Sequence, residues 1–279
     1  MSRATVRVTV VELPHEPGAL EASWAALCRH AASADSELVL LPELAFVEAV
    51  WERCLYDRQR QKGIEDLSDQ WLRRPSELRV PAVVGARPHS REGTALIEAF
   101  LWRAGDEEPT ALRRKHFLPD EPGAWEARWF ARGEPEFPVF RSGDLAFGVN
   151  ICTELWALET YAGYAAQGAQ AILSPRATAT ATIDKWLAVG RVAAIRSGAY
   201  SLSSNRVDPT GTCGGGGWIL DPDGRLLGLT RAEEPFVTAT LDLASPAAAR
   251  TTYPRSVFRR GDESAHLRSI VEEASSEQI

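Results

Sequence analysis

Three residues that carry a carboxylate, an amine and a thiol each follow a segment with the pattern of a β-strand. Glu43 follows LVLLP, Lys115 follows ALRR, and Cys152 follows AFGVNI. The ends of strands in an open α/β sheet are where active sites are built. A thiol, a carboxylate and a cation at one such edge supply the nucleophile, the base and the oxyanion partner of covalent acyl transfer. Each residue alone also has a structural explanation, as a helix N-terminal carboxylate, a surface cation and a small core residue.

The segment 144–160, DLAFGVNICTELWALET, predicts a buried strand, an abrupt stop and the start of a helix. Thr153 and Glu154 suit a first helical turn, where free N–H groups favour oxygen and negative charge. Because the helix dipole is positive at such a junction, we expect Cys152 to have a lowered pKa and to form thiolate.

Strands and helices alternate along the chain, which predicts an α/β protein in which helices cover sheets. The pattern indicates a β-hairpin over 94–103 and 110–114 and helices over 156–167 and 183–197. We predict one domain over residues 1–243. A tail over 244–279 has few large apolar residues, and we expect its last part to be loosely held or to contribute to a subunit interface.

Composition and charge exclude several classes of partner. The chain has 279 residues and a formal net charge of −7, with no block of basic residues that stands apart, so we expect no nucleic-acid partner. The four cysteines are far apart and form no CxxC pair, which favours a reducing, cytoplasmic setting over a zinc site. We expect no signal peptide, no membrane segment, no metal and no organic cofactor.

The segments LVLLPELAF, RRKHFLPDEPG and GVNICTELW resemble the three signature regions of the nitrilase, or carbon–nitrogen hydrolase, superfamily. The resemblance covers nearly the whole chain, from the first strand to the DPDGRLLG hairpin, and includes AAIRSGAYSLSSNRVDPTG. It implies a four-layer α-β-β-α sandwich. It also implies a homodimer or larger homo-oligomer that associates through helices near the nucleophile.

The resemblance implies a role for each matched residue. Glu43 is expected to be the general base and Cys152 the nucleophile. Lys115 and the backbone N–H of Thr153 are expected to stabilise the oxyanion.

A second glutamate is found after the lysine in the amidase and carbamoylase branches of this superfamily. We place it at Glu126, within PDEPGAWEARWF, rather than at Glu121 in the preceding turn. Its implied role is to orient Lys115 and to hydrogen-bond the substrate. The alternative is an exposed helical glutamate that pairs with Arg128 or Lys115.

Three further residues are candidates for substrate binding. Arg176 ends the strand AILSP and is suited to a two-pronged bond with a substrate carboxylate, or else pairs with Glu154 or Glu159 to hold the loop. Glu154 is an alternative partner for a cationic substrate group. Trp125, together with Trp129 and Phe130, forms either an apolar pocket wall or part of the core.

The sequence therefore favours hydrolysis of a small linear amide or N-carbamoyl compound through a thioester. Nitrile hydrolysis is an alternative, which Thr153 disfavours because true nitrilases usually carry a Trp-Glu pair after the cysteine. An acyltransferase that uses the same thioester is another. A catalytically silent binding or assembly protein is a third, although a scaffold has no physical need for all three reactive groups.

Overall fold

The computed structural model describes residues 4–259. Within that part of the chain, twelve strands form one set of hydrogen-bonded neighbours. The strands are β1 (Thr5–Leu13), β2 (Leu38–Glu43), β3 (Ala82–Arg91), β4 (Thr94–Arg103), β5 (Thr110–Arg114), β6 (Phe140–Ser142), β7 (Leu145–Val149), β8 (Ala171–Arg176), β9 (Tyr200–Arg206), β10 (Trp218–Leu220), β11 (Leu226–Leu229) and β12 (Phe236–Asp242).

Helices connect and cover these strands. Asp57 caps the second helix, because its side chain accepts hydrogen bonds from the backbone N–H groups of Gln59 and Arg60. The α-helices are α1 (Pro17–Ser33), α2 (Arg58–Trp71), α3 (Glu126–Trp129), α4 (Thr160–Ala166), α5 (Ile183–Ser197) and α6 (Ser245–Ala249), and short 3-10 helices lie at Val50–Glu52, Pro75–Leu78, Cys152–Trp156, Thr180–Thr182 and Arg255–Arg259.

The strands form two halves that meet at β1. The first half has the order β12-β1-β2-β3-β4-β5, with β1, β2 and β3 parallel. The second half contains β6 to β11, with β7, β8 and β9 parallel. The end of β1 pairs in parallel with the end of β9, through Glu12 with Asn205 and Leu13 with Arg206. The carboxyl ends of the parallel strands of both halves therefore meet at one edge.

Helices lie on the outer face of each half, which confirms the predicted four-layer α-β-β-α sandwich. α1 packs on β1 and α2 on β3, while α5 packs on β9 and β10. An aromatic cluster of Trp24, Phe46 and Trp71 fills the layer beneath α1 and α2. On the other side Trp218 lies directly against Gly190 of α5, and Tyr164 of α4 against Gly148 of β7.

The predicted hairpin over 94–103 and 110–114 is confirmed as β4 and β5. The predicted helix over 156–167 is wrong at its start, since Cys152–Trp156 is a 3-10 helix and α4 begins only at Thr160. The reason lies in Asn150, whose side-chain amide donates to the Glu154 carbonyl at 2.9 Å and to the Thr160 hydroxyl at 3.1 Å. These bonds fix an extra turn between the two helices.

Residues 244–259 continue from β12 across the second half. Arg255 is buried and donates to the Pro222 carbonyl at 3.0 Å and to Asp223 at 2.7 Å. The prediction about the last part of the tail concerns residues 260–279, which lie outside the described residues. Among the helices of residues 4–259, none has the length and apolar character needed to cross a membrane.

Candidate active site

Glu43, Lys115 and Cys152 come together at the edge where the carboxyl ends of the parallel strands meet. Glu43 is the last residue of β2, Lys115 follows β5, and Cys152 lies three residues beyond β7. Their exposed fractions are 1%, 0% and 4%. The first half of the fold supplies the two charged groups and the second half supplies the thiol, so the site lies between the two sheets.

Lys115 lies between two carboxylates. Its Nζ donates to Glu43 Oε1 at 2.8 Å and to Glu126 Oε2 at 2.6 Å. Glu126 is 5% exposed, whereas Arg128 lies in solvent and pairs with Asp120 at 2.6 Å. The structure thus places Glu126 in the buried cluster and not on an exposed helical surface.

The buried cluster of Glu43, Lys115 and Glu126 shifts the pKa values of Lys115 and Glu126. Burial opposes the charged form of Lys115, but the Glu126 and Glu43 carboxylates outweigh it and hold the pKa of the ammonium above its usual range. Burial raises the pKa of Glu126 to about 7, against the opposing attraction of Lys115 and with a contribution from Glu43. Two carboxylates and one ammonium carry one excess negative charge when all are ionised, so a proton is readily taken up here at neutral pH.

Cys152 occupies a strained turn. Its φ of +48° is in the left-handed region, which is uncommon for a residue with a side chain and is found at functional sites. This conformation turns the chain abruptly from the β7 segment into the 3-10 helix at Cys152–Trp156. The backbone N–H of Ala177, just after β8, favours the thiolate form of Cys152.

The expected lowering of the Cys152 pKa is wrong. Burial raises the pKa of the thiol well above its usual value, and the Glu43 carboxylate raises it further, while Lys115 and the Ala177 N–H only partly oppose these effects. The helix that follows has five residues and 3-10 geometry, so its dipole is small. The Lys115 ammonium is also shared with two carboxylates. The resting cysteine is therefore a protonated thiol.

Glu154 has neither of its predicted partners. Its carboxylate forms a buried ion pair with both terminal nitrogens of Arg113 and accepts from the backbone N–H groups of His116 at 2.7 Å and Ile151 at 2.9 Å. The side chain is 0% exposed and its oxygens are occupied, so a cationic substrate group has no access to it.

These bonds make Glu154 a link between two segments of the site. Arg113 and His116 flank Lys115, and Ile151 immediately precedes Cys152. The sequence analysis missed this role because Arg113 is 41 positions away from Glu154. One signal was present: in a strand, side chains two apart lie on the same face, so Arg113 had to share the face of Lys115.

Arg176 is placed at the predicted edge, but its donors are occupied by the protein. Its Nε donates to the Ser203 hydroxyl at 2.6 Å, Nη1 to the Thr178 hydroxyl at 2.7 Å and Nη2 to the Gly216 carbonyl at 2.8 Å. It is 0% exposed and lies over the Trp218 ring. Each guanidinium nitrogen of Arg176 thus already donates to the protein, and the pairing with Glu154 or Glu159 is absent.

Of the three aromatic candidates, Trp129 and Phe130 lie in the core and Trp125 is half-buried. Trp129 and Phe130 are buried at 2% and 4% exposure, and the Trp129 indole donates to the Arg53 carbonyl at 2.6 Å. Trp125 is half-buried and its backbone N–H donates to the Trp51 carbonyl at 2.7 Å. The Thr153 hydroxyl donates to the Phe117 carbonyl at 2.8 Å, which ties the cysteine turn to the loop after Lys115.

Residues 4–259 contain no group of three or more His, Cys, Asp or Glu side chains that could hold a metal ion. The site offers a thiol, an ammonium and two carboxylates, together with the first N–H groups of the 3-10 helix, which lack intrahelical acceptors.

Two known proteins that are similar in sequence to this chain are named as enzymes, an N-carbamoylputrescine amidase and a citrullinase. An N-carbamoylputrescine amidase of Oryza sativa subsp. japonica is 27% identical over 156 residues, which is 50% of this chain and 52% of that protein. A citrullinase of Francisella tularensis subsp. tularensis (strain SCHU S4 / Schu 4) is 28% identical over 177 residues, which is 58% of this chain and 62% of that protein. The chain thus matches between half and two thirds of the length of these relatives.

A solved structure shares the fold. The crystal structure of a carbon–nitrogen hydrolase from Helicobacter pylori G27 has a TM-score of 0.77 at 20% identity, covering 92% of this chain and 96% of that one. The model of the family described as carbon-nitrogen hydrolase matches residues 7–251. The chain therefore belongs to the carbon–nitrogen hydrolase family.

Proposed function

We propose that this protein hydrolyses a non-peptide C–N bond in a small linear amide or N-carbamoyl compound through a thioester on Cys152. The observation that carries the proposal is the buried Lys115 ammonium, held by Glu43 at 2.8 Å and by Glu126 at 2.6 Å beside a buried cysteine. The relatives named N-carbamoylputrescine amidase and citrullinase support the substrate class.

In the first half-reaction, the Glu43 carboxylate accepts the Cys152 proton as the sulfur attacks the carbonyl carbon. The C–S bond forms and the carbonyl electron pair moves to oxygen, where the Lys115 ammonium and the backbone N–H of Thr153 stabilise the oxyanion. The tetrahedral intermediate then collapses with cleavage of the C–N bond. Protonated Glu43 gives its proton to the departing nitrogen, and ammonia or an amine leaves.

In the second half-reaction, Glu43 deprotonates a water molecule that attacks the thioester carbon. Collapse of this second intermediate breaks the C–S bond, returns a proton to the sulfur and releases the acid. The sum is amide plus water giving acid plus amine. Glu126 remains hydrogen-bonded to Lys115 throughout both half-reactions, and this bond keeps the Lys115 ammonium directed at the oxyanion.

The raised pKa of Cys152 fits a base-assisted attack. A protonated thiol beside a carboxylate stays unreactive towards adventitious electrophiles until an acyl carbon is in place. The proton then moves to Glu43 in the same step in which the C–S bond forms.

The test is release of ammonia from a panel of aliphatic amides, ω-amides of dicarboxylic acids, N-carbamoyl amines, N-carbamoyl amino acids and nitriles. Wild type and Cys152→Ala are compared side by side, with circular dichroism to show that both are folded. Release that depends on Cys152 supports the hydrolase and ranks its substrates. Ammonia release that persists in Cys152→Ala contradicts the assignment of Cys152 as the nucleophile. A preference for nitriles over amides would show that the function is nitrile hydrolysis.

We also propose that two copies of the protein associate through the surface formed by α4, α5 and the 3-10 helix at Cys152–Trp156. Trp156 and Leu158 are each 48% exposed there and Val192 is 43% exposed. Light scattering should show a dimer for wild type and a smaller species for Val192→Glu, because a charge on this apolar surface opposes its burial. A wild-type monomer at micromolar concentration contradicts the dimer.

A further inference from the structure

Two buried arginines end neighbouring strands at the carboxyl edge, and they differ in how their donors are used. Arg176 ends β8 and Arg206 ends β9, and both are 0% exposed. Every guanidinium nitrogen of Arg176 has an acceptor. In Arg206 only Nη1 has one, the Leu44 carbonyl at 3.2 Å, while Nε and Nη2 are buried without a hydrogen-bond partner in the described chain.

Arg206 lies beside the segment that carries Glu43, whose charge reaches the guanidinium. Its acceptor, Leu44, directly follows Glu43, and the guanidinium lies 5.1 Å from the centre of the Trp51 ring. The Trp51 carbonyl in turn accepts from the N–H of Trp125, the residue before Glu126. Arg206 thus contacts the segment that carries Glu43, and it contacts Trp51, whose carbonyl is hydrogen-bonded to the segment that carries Glu126.

The two unpartnered donors lie on one edge of the guanidinium. The Nε–H bond and the neighbouring Nη2–H bond are nearly parallel in the planar group, and this edge matches the two oxygens of a carboxylate. A buried cation without an acceptor on this edge is costly, and an unsatisfied buried donor in a native structure calls for an explanation. No ion pair involves Arg206 among residues 4–259, although the charges of Glu43, Asp208 and Glu16 reach it.

Burial does not separate Arg206 from the ligand. Lys115 is equally buried at 0% exposure and Cys152 is 4% exposed, yet both must meet a substrate if the proposed function holds. A small linear substrate that reaches these groups also comes to the Glu43–Leu44 segment, to which Arg206 is hydrogen-bonded through the Leu44 carbonyl.

We propose that Arg206 binds a carboxylate at the far end of the substrate, so that the preferred substrates are amides or carbamoyl compounds that also carry a carboxylate. This inference rests on the proposed function. It assigns to Arg206 the carboxylate recognition that the sequence suggested for Arg176.

Matched substrate pairs test the preference in the wild-type enzyme. Glutaramate and succinamate are compared with valeramide and butyramide, in which a methyl group replaces the carboxylate. We expect kcat/KM to be about 10- to 100-fold higher for the acidic member of each pair, the range of a charged hydrogen-bonded contact. A wild type that hydrolyses the neutral members equally well or better overturns the inference and leaves the amidase proposal intact.

Variants assign the preference to Arg206. In Arg206→Met and Arg206→Lys, the ratio of kcat/KM between acidic and neutral members should fall by about 10-fold or more, because the charge or the two-pronged edge is lost. Arg176→Lys is the matched control, since its donors serve the protein, and there both members should change by the same factor. Equal loss on both members in the Arg206 variants shows a structural arginine and overturns the inference.

A binding measurement separates this inference from the proposed reaction. Calorimetric titration of Cys152→Ala with glutaramate and valeramide requires no turnover. We expect glutaramate to bind at least 10-fold more tightly, and the difference to disappear in Cys152→Ala/Arg206→Lys. If no amide is hydrolysed but this difference is found, the proposed function fails and the carboxylate subsite stands. If amides are hydrolysed and no difference is found, the subsite fails.

Discussion

The Cys152 thiol keeps its proton because burial and the Glu43 carboxylate outweigh the Lys115 ammonium. The same geometry makes Glu43 the nearest candidate for the base that removes this proton. Under the proposed mechanism, one carboxylate therefore suppresses the reactivity of the free thiol and also permits the attack once an acyl carbon is bound.

Alkylation of Cys152 by iodoacetamide should follow the raised pKa of its thiol. In wild type the rate should continue to rise beyond about pH 8.5, the usual midpoint of a cysteine. In Glu43→Gln the midpoint should move to lower pH, because a negative charge beside the thiol has been removed. The label is measured at the Cys152 peptide by mass spectrometry, since Cys54 is exposed and reacts as well. A midpoint that stays in place or rises in Glu43→Gln contradicts this electrostatic account.

At the scale of single residues, the sequence predicted correctly which side chains lie at the same edge of the fold. It did not predict the hydrogen-bond partners of each side chain. The strand ends at Glu43, Lys115 and Cys152 placed all three correctly at that edge, because a buried strand followed by a polar residue is a local pattern. The difference between Arg176 and Arg206 was not predictable. It depends on acceptors such as the Gly216 and Leu44 carbonyls, which are 40 and 162 positions away.

Glu154 connects the elements that carry the lysine and the cysteine. Its carboxylate is bound by Arg113 at the end of β5, by the His116 backbone and by the Ile151 backbone. A shift of either segment breaks bonds to this one carboxylate, so we infer that Glu154 positions Lys115 relative to Cys152 without contacting the substrate.

Replacing Glu154 with Gln should lower the free energy of unfolding by about 3–5 kcal/mol, because the Arg113 charge is left buried without its partner. Under the proposed function, kcat should fall while KM changes less, since the reacting groups lose their alignment. Urea denaturation and steady-state kinetics on the best amide of the panel measure the two effects.

The matched control for Glu154 is an ion pair at the surface. Asp35 pairs with Arg7 at 3.1 Å, with exposed fractions of 72% and 44%. Asp35→Asn should change the unfolding free energy by less than about 1 kcal/mol. Comparable losses in Asp35→Asn and Glu154→Gln are inconsistent with the special position of Glu154.

Replacing each of two nearby glycines with alanine should change the stability of the protein in opposite directions. A Cβ at Gly148 in β7 would overlap the Tyr164 ring, whose hydroxyl is fixed by bonds to the Val149 carbonyl and the Asn150 side chain. Gly148→Ala should therefore destabilise by about 1–3 kcal/mol. Gly163 in α4 has no atom within 4 Å of its would-be Cβ, so Gly163→Ala should stabilise by about 0.5–1 kcal/mol. The thermal unfolding temperatures of both variants test this prediction. A Gly148→Ala variant that is more stable than wild type contradicts the close packing of Tyr164 against Gly148.

Element boundaries were predictable where the turn signal is local. The β4–β5 hairpin follows from two strand-like segments around Gly105 and Asp106. The start of α4 was not predictable, because the bonds from Asn150 to the Glu154 carbonyl and the Thr160 hydroxyl decide it. The periodicity of apolar residues in the sequence does not reveal these hydrogen bonds of the Asn150 side chain.

Across residues 4–259 the strands form two halves that are joined where the end of β1 pairs with the end of β9, and the site lies at this junction. Ser204 of β9 reinforces it, since its hydroxyl donates to the Leu40 carbonyl of β2 at 2.6 Å and accepts from the Val11 N–H of β1 at 2.9 Å. Folding therefore buries Glu43, Lys115 and Glu126 between the halves, and the stability of the protein depends on the protonation of Glu126.

The free energy of unfolding should fall as the pH rises from about 4.5 to about 7 because of Glu126. The folded state holds this proton more tightly than the unfolded chain does, so its contribution is full below the unfolded pKa and is lost as pH rises through the folded pKa. A shift from 4.5 to about 7 corresponds to about 3 kcal/mol. Glu126→Gln removes the titrating group, so the stability of wild type relative to Glu126→Gln should decline over this range in urea denaturation at several pH values. Glu121→Gln, on the exposed turn, is the control and should run parallel to wild type. A difference between wild type and Glu126→Gln that is constant or grows with pH means that Glu126 is ionised in the folded protein throughout, with Lys115 outweighing its burial.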